Sequence, residues 1–137
     1  MKKIIETVLP LRALNKSATS DKVRKGHPGN MHLWWNRSPI DSSAALLRAA
    51  VKDVNIDEID LEIKQLESIA AGKVVPQIKI KHSPVVCDPF SGFGGLTIAA
   101  QKAGLDVYAS DLNAMATLLT KAVAEIPFKF ANYSPIS

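Results

Sequence analysis

Val85-Val86-Cys87-Asp88-Pro89-Phe90-Ser91-Gly92-Phe93-Gly94-Gly95 is the stretch that decides the fold. A short apolar run of this kind suits a strand buried in a parallel sheet, and the glycine-rich text after it suits a tight strand-to-helix turn. A helix follows through Leu96, Thr97, Ile98, Ala99, Ala100 and Ala103, and Gly104 stops it. Leu105 to Ser110, with Val107 and Tyr108, reads as a second strand that ends at Asp111. Asn113 can cap a last helix through Met115, Leu118, Leu119, Ala122 and Val123, ended before Pro127. The fold class is therefore α/β, built on a βαβα unit over residues 84–137, and a mostly helical region, residues 1–83, precedes it.

A glycine turn between strand and helix lets the backbone approach a ligand and points helix amides at its polar groups. Gly92, Gly94 and Gly95 stand in that place. Asp111, at the end of the neighbouring strand, can accept hydrogen bonds from both hydroxyls of a ribose. Together they describe a crevice for a nucleoside-containing ligand. The dinucleotide fingerprint wants a small residue where this chain has Thr97, and it has no use for Asp88-Pro89-Phe90 ahead of the glycines. A Walker lysine is absent as well. A carboxylate just before the turn instead suits a ligand with a cationic end, such as the amino acid half of S-adenosyl-L-methionine, and Phe90 can pack near its sulfonium.

Upstream, apolar positions at Ile4, Ile5, Val8, Leu9, Leu11 and Leu14, interrupted by Pro10, fit a short strand or a broken helix. Gly26, Pro28, Gly29 and Pro39 frame an ordered loop around His32-Leu33-Trp34-Trp35. Asp41 or Ser42 can cap a helix through Val51. A second helix from about Asp57 carries Ile59, Ile63, Leu66, Ile69 and Ala70 on one face and ends at Gly72, with Asp57, Glu58, Asp60 and Glu62 as its solvated start or as an acidic surface for a basic partner. Residues 73–83 join this part to the first strand as an irregular linker.

The 137 residues suffice for one domain or part of a larger one, and 47% hydrophobic against 22% charged residues is a globular balance. That excludes a multidomain enzyme. No apolar run approaches the roughly 18 residues of a spanning helix, and charge interrupts Met1-Lys2-Lys3-Ile4-Ile5-Glu6 before a signal core forms, so a cytoplasmic protein with no membrane partner is expected. The net charge of +4 is unevenly placed: +6 over residues 1–40, −4 over 41–72 and +2 over 73–137. Lys16, Lys22, Arg24, Lys25 and Arg37, beside Trp34 and Trp35, could meet a phosphate backbone or simply form a solvated face. The single cysteine, Cys87, reads as a buried structural thiol. His27, His32, His82 and Cys87 lack the close spacing of a zinc site, so no metal is expected.

Asp88-Pro89-Phe90-Ser91-Gly92-Phe93-Gly94-Gly95 resembles motif I of amino-directed DNA methyltransferases, and Ala109-Ser110-Asp111-Leu112-Asn113 resembles their second cofactor motif. Leu9-Pro10-Leu11, Gly26-His27-Pro28, His32-Leu33-Trp34-Trp35-Asn36-Arg37-Ser38-Pro39 and Glu125-Ile126-Pro127-Phe128-Lys129-Phe130 follow, in order, the opening of large prokaryotic adenine-specific DNA methylases. Those enzymes contain a zinc ribbon and begin with a domain of unknown function. The resemblance spans nearly the whole chain and implies a partial Rossmann-like class I methyltransferase sheet with S-adenosyl-L-methionine as cofactor. It implies that Asp88, Pro89, Phe90, Gly92 and Gly94 hold the methionine part, that Asp111 holds the ribose, and that Trp35 and Arg37 belong to an extra cofactor motif, with Arg37 pairing the methionine carboxylate.

The chain departs from that pattern in informative ways. Phe93 stands where the family often has a small residue, and Asn36-Arg37-Ser38 where an Arg-Arg pair is usual. The catalytic motif, Asn or Asp followed by Pro-Pro and an aromatic, is absent, and Asn132-Tyr133-Ser134-Pro135 has these residue types in the wrong order. A flipped base needs acceptors for its exocyclic amine and a stacking aromatic, so no catalytic residue is assigned and the chain alone is expected to be inactive. Two strands cannot close a doubly wound sheet, so either a second polypeptide completes it or the chain is a truncated remnant. Completed, it would pass the methyl group directly to the base amine, with no covalent enzyme intermediate. The alternatives are a non-catalytic nucleic-acid-binding or regulatory fragment docking on a methylase partner, and a nicotinamide or other nucleotide enzyme.

Overall fold

The computed structural model describes residues 2–20, 27–30, 32, 34, 35, 37–76 and 84–134. Lys22, Arg24, Lys25, Leu33, Asn36 and His82, which carried part of the sequence reading, lie outside the described residues, as does most of the linker. The described elements are α1 (Leu11–Ser20), α2 (Ile40–Val51), α3 (Ile59–Ala70), β1 (Val86–Asp88), α4 (Gly95–Lys102), β2 (Val107–Ala109), α5 (Ala114–Thr120) and α6 (Ile126–Phe130). A helical region thus precedes a small α/β unit.

Near the amino terminus the broken-helix alternative holds. A single 3₁₀ turn, Ile4–Glu6, precedes Pro10, and α1 begins at the next residue, where the missing proline N–H costs nothing. Residues 2–4 are tied to the chain after α2: Ile4 N–H donates to the Lys52 carbonyl and Val54 N–H to that of Lys2, both at 3.0 Å.

The centre of the molecule is α2, which packs against α1, α3 and α4. Its Ala44, Ala45 and Ala49 and the facing Ala99 of α4 are fully buried, and such small side chains permit close helix approach. One core cluster consequently runs from Ile4 and Leu14 through α2 and α3 to Phe93, Ile98, Ala99, Val123 and Ala124. Pro39, rather than Asp41 or Ser42, occupies the cap position of α2. Asp41 is buried in the first turn and pairs with Lys102 of α4, a contact no local pattern foretells.

Glu62 also departs from the sequence expectation of a solvated helix start. It is 3% exposed, pairs with Lys52, and stands 3.6 Å from the guanidinium of Arg48, itself 3% exposed. Arg48 further donates to the Pro76 carbonyl at 2.9 Å and to Gln65, so α2, α3 and the segment after α3 meet on one charged residue.

β1 and β2 run parallel, with Val86 opposite Val107, Cys87 opposite Tyr108 and Asp88 opposite Ala109. On one face Val86 and Val107 pack against Ala100, Ala103 and Leu105. The other face is uncovered among the described residues: Tyr108 is 76% exposed, and Cys87 is exposed rather than buried. An apolar run implies burial on both faces only where helices cover both. The last helix does not stop before Pro127. A π-helical stretch, Lys121–Glu125, follows α5, and Pro127 then falls in the first turn of α6, where its lack of an N–H is tolerated. Among the described residues no helix is long and apolar enough to cross a membrane.

Replacing Glu62 by Ala strands the Arg48 charge in the core, and a loss of about 3–5 kcal/mol in denaturant unfolding is expected. The paired change Arg48→Met with Glu62→Leu should recover most of it; equal losses for the single and paired variants would refute the coupling.

Candidate functional site

The site grows out of the carboxyl ends of the two parallel strands, where open α/β sheets place their ligands. The β1 text ends on Asp88, and the turn after it is knitted to the end of β2: Ser110 N–H donates to the Asp88 carbonyl at 2.9 Å, and Ser91 N–H to the Ser110 carbonyl at 3.0 Å. Gly92 and Gly94 adopt φ of 54° and 88°, conformations that a side chain disfavours. Space enforces the same choice. A Cβ on Gly92 would lie 2.8 Å from the Trp34 indole nitrogen, and one on Gly94 would lie 3.1 Å from Val123 and 3.2 Å from the Thr120 backbone.

Asp111 joins this turn from β2. One carboxylate oxygen accepts the Gly92 N–H and the other the Asn113 N–H, both at 2.9 Å. The amides of Asn113, Gly92 and Leu112 hold its carboxyl below the ordinary range. Each oxygen keeps a lone pair for a further donor such as a hydroxyl. Asn113 caps α5 by accepting from Met115 N–H at 2.9 Å, as its sequence position implies.

Asp88 has a different environment. It is buried, and burial pushes its carboxyl above the ordinary range. Hydrogen bonds from the Phe90 backbone and the Thr97 hydroxyl, 3.4 Å away, oppose that rise, while the nearby Asp111 charge adds to it. A buried carboxylate so placed favours a cation or a hydrogen-bond donor as its neighbour.

Around the turn lies a cavity of about 130 Å³ bounded by Trp34, Ser38, Asp88, Phe90, Ser91, Gly92, Phe93, Gly95 and Leu96. Six of the eight residues assigned from sequence, Asp88, Pro89, Phe90, Gly92, Gly94 and Asp111, fall on this turn or against it. Phe90 is 85% exposed at its rim. The other two, Trp35 and Arg37, are exposed and do not line it, Trp35 at 99%. Trp34 is the indole that covers Gly92. The loop has no periodicity that tells one tryptophan from the next, which is why the choice was not legible. Thr120, also unassigned from sequence, places its hydroxyl 3.0 Å from Ser91 Oγ and 3.4 Å from the Gly92 carbonyl, fastening α5 to the turn.

A larger cleft of about 340 Å³ lies beside β2, between α4 and the α5–π segment, and neither aspartate lines it. Among the described residues no cluster of three or more His, Cys, Asp or Glu side chains could hold a metal.

Residues 8–71 match the model of a family described as a protein of unknown function (DUF1156). The match takes in α1 to α3 and stops short of the glycine turn. No curated protein and no solved structure matches the chain.

The raised Asp88 carboxyl carries a sign. The folded state holds that proton more tightly than the unfolded chain, so stability falls as pH rises from the ordinary carboxylate range through the folded value and then levels. Asp88→Asn should flatten this fall and raise the melting temperature at neutral pH; a lower melting temperature there would show that the ionised carboxylate stabilises the fold.

Proposed function

We propose that this chain forms the S-adenosyl-L-methionine-binding portion of a DNA methyltransferase, acting on the amino group of adenine, with base recognition and catalysis contributed by residues outside it. One observation carries the reading: two aspartates at the carboxyl ends of adjacent parallel strands, Asp88 and Asp111, flank a turn whose Gly92 and Gly94 have positive φ. Such a placement of acid and glycine supports the reading of a Rossmann-like nucleoside crevice. The match of residues 8–71 to a domain of unknown function agrees with the order of segments in the methylases that the sequence resembles.

The residues fit this cofactor in part. A cavity of about 130 Å³ accommodates its amino acid end, and the remainder would extend across the open ends of the strands toward Asp111. Asp88 would take the cationic amine, for which a buried carboxylate is suited once ionised. The free lone pairs of Asp111 would accept the ribose hydroxyls while its two existing bonds hold the turn still. Trp34 would exclude water from one side, and Phe90, exposed at the rim, would be available to the sulfonium. When bound, S-adenosyl-L-methionine supplies an electrophilic methyl group. This chain's residues bind and orient it.

Calorimetric titration with S-adenosyl-L-methionine and S-adenosylhomocysteine tests the reading. Saturable binding is expected, weakened about 10- to 100-fold by Asp88→Asn or Asp111→Ala, the equivalent of one charge-assisted hydrogen bond. Circular dichroism checks that both variants fold. No heat from either ligand with folded wild-type protein, or unchanged affinity in both variants, would defeat it.

The second reading, a nucleic-acid-binding or regulatory fragment that docks on a methylase partner, is favoured by Trp35. This indole stands in solvent beside Arg37 and near His32 in sequence, both exposed. Aromatic stacking on an unpaired base contributes about 1–3 kcal/mol. Trp35→Ala should therefore weaken single-stranded DNA binding by about tenfold in fluorescence anisotropy, with no change in cofactor titration; equal anisotropy curves would dismiss the stacking role.

A further inference from the structure

Thr97 stands where the dinucleotide fingerprint wants a small residue, and its place in the fold gives that departure a role. It is the third residue of α4 and only 4% exposed. Its hydroxyl lies 3.4 Å from Oδ2 of Asp88, which is itself 5% exposed. The helix that carries it starts from a fixed point. Ile98 N–H donates to the Gly94 carbonyl at 2.9 Å, and Gly95 sits so close to Phe93 that a Cβ there would come within 2.8 Å of the ring. The glycine turn that shapes the cavity therefore also sets Thr97 against the carboxylate.

Asp88 has few other groups to answer to. From the end of β2 it faces Asp111, whose negative charge disfavours a second one beside it. Tyr108 of the same strand is exposed and stands opposite Cys87, also exposed. Lys102, the one titratable side chain of α4, is at the far end of that helix and pairs with Asp41. The loop over the turn brings Trp34 and Ser38, neither charged, to the cavity and leaves His32 and Arg37 exposed outside it. No described cation thus faces Asp88, and the neutral donors, Thr97 and the Phe90 backbone, are left to favour its charge against burial and Asp111. A hydroxyl suits this task, because a hydrogen bond to an ionised acceptor is roughly twice as strong as one to a neutral acceptor.

We propose that Thr97 is a positioning residue of the cofactor site, whose hydroxyl holds Asp88 in the ionised form that takes the cationic amine of S-adenosyl-L-methionine and so fixes the pH range over which the site fills. The inference rests on the S-adenosyl-L-methionine reading. A protonated Asp88 has no charge to offer the amine. When the ligand enters, that proton leaves to solvent and the ammonium takes its place. Affinity consequently rises with pH through the titration of Asp88 and levels above it.

Two measurements on the full chain test this. The side-chain carboxyl carbon of Asp88 is followed by NMR against pH in the isotopically labelled protein without ligand, and S-adenosylhomocysteine, which carries the same amine, is titrated calorimetrically across the same range. Thr97→Val keeps the shape and removes the hydroxyl. It should raise the Asp88 midpoint by about one pH unit, and Thr97→Ser should restore it. Between the two midpoints the valine variant should bind up to about tenfold more weakly than wild type, and well above both the affinities should coincide. Because valine at a buried polar position could unfold the turn, Thr97→Ala is measured beside it and should move the midpoint the same way. An unmoved midpoint in a folded variant, or an affinity loss equal at every pH, would overturn the proposal. The two readings fail separately: an Asp88 midpoint that follows Thr97 in a protein that binds no ligand would defeat the cofactor reading, whereas normal binding with an unmoved midpoint would defeat only the role of Thr97.

Discussion

A single carboxylate, that of Asp111, ties the two strand-to-helix turns of this protein together. One oxygen holds the amide of Gly92, after the first strand, and the other holds the amide of Asn113, at the head of the helix after the second. Sheet pairing alone spans only three residues on each strand, a short ladder by any standard. The Asp111 clamp, with the main-chain bonds between Ser91, Ser110 and Asp88, extends that ladder into the turns. It holds the Gly92 amide within the turn and the Asn113 amide at the cap of α5, while Thr120 at the other end of that helix bonds Ser91 in the same turn.

The helical region acts on the same turn from the other side. Alanines on α2 and α4 let the two helices pack closely, and Phe93 anchors the turn in the shared core. That anchoring explains why a phenylalanine stands where a small residue would leave more room. Its ring would meet a Cβ on Gly95 at 2.8 Å, so the third glycine of the run is required by packing. Glycines here serve two purposes at once: the bend of the chain and the fit of neighbours.

The α/β unit was legible because its signals are local. An apolar run, a glycine turn, an asparagine cap and a second β-branched run sit close together in the chain, and the elements appear near where their residues imply, although the first strand is shifted by one residue, the second is shorter, and the last helix continues past Pro127. What escaped were contacts between distant residues. Glu62 looks solvated among its acidic neighbours, and only Arg48 and Lys52, brought over by helix packing, make its burial tolerable. Asp41 looks like a cap and is instead the partner of Lys102. Cys87 looks buried because the run around it is apolar, but helices cover only one face of the sheet among the described residues. Trp34 and Trp35 are identical as text, and the fold alone separates the one over the turn from the one in solvent.

The π-helical stretch has a consequence for the whole carboxyl-terminal surface. An α-helix advances about 100° per residue, so the inward stripe of Ala116, Thr120, Val123 and Ala124 would, without interruption, continue to Pro127 and Phe128. Past the π-helical stretch that continuation fails: Phe128 is 66% exposed, Ile126 48% and Phe130 53%. The carboxyl-terminal end of the described chain therefore turns apolar and aromatic side chains to solvent, and the rings of Phe130 and Tyr133 meet on it with centroids 5.6 Å apart.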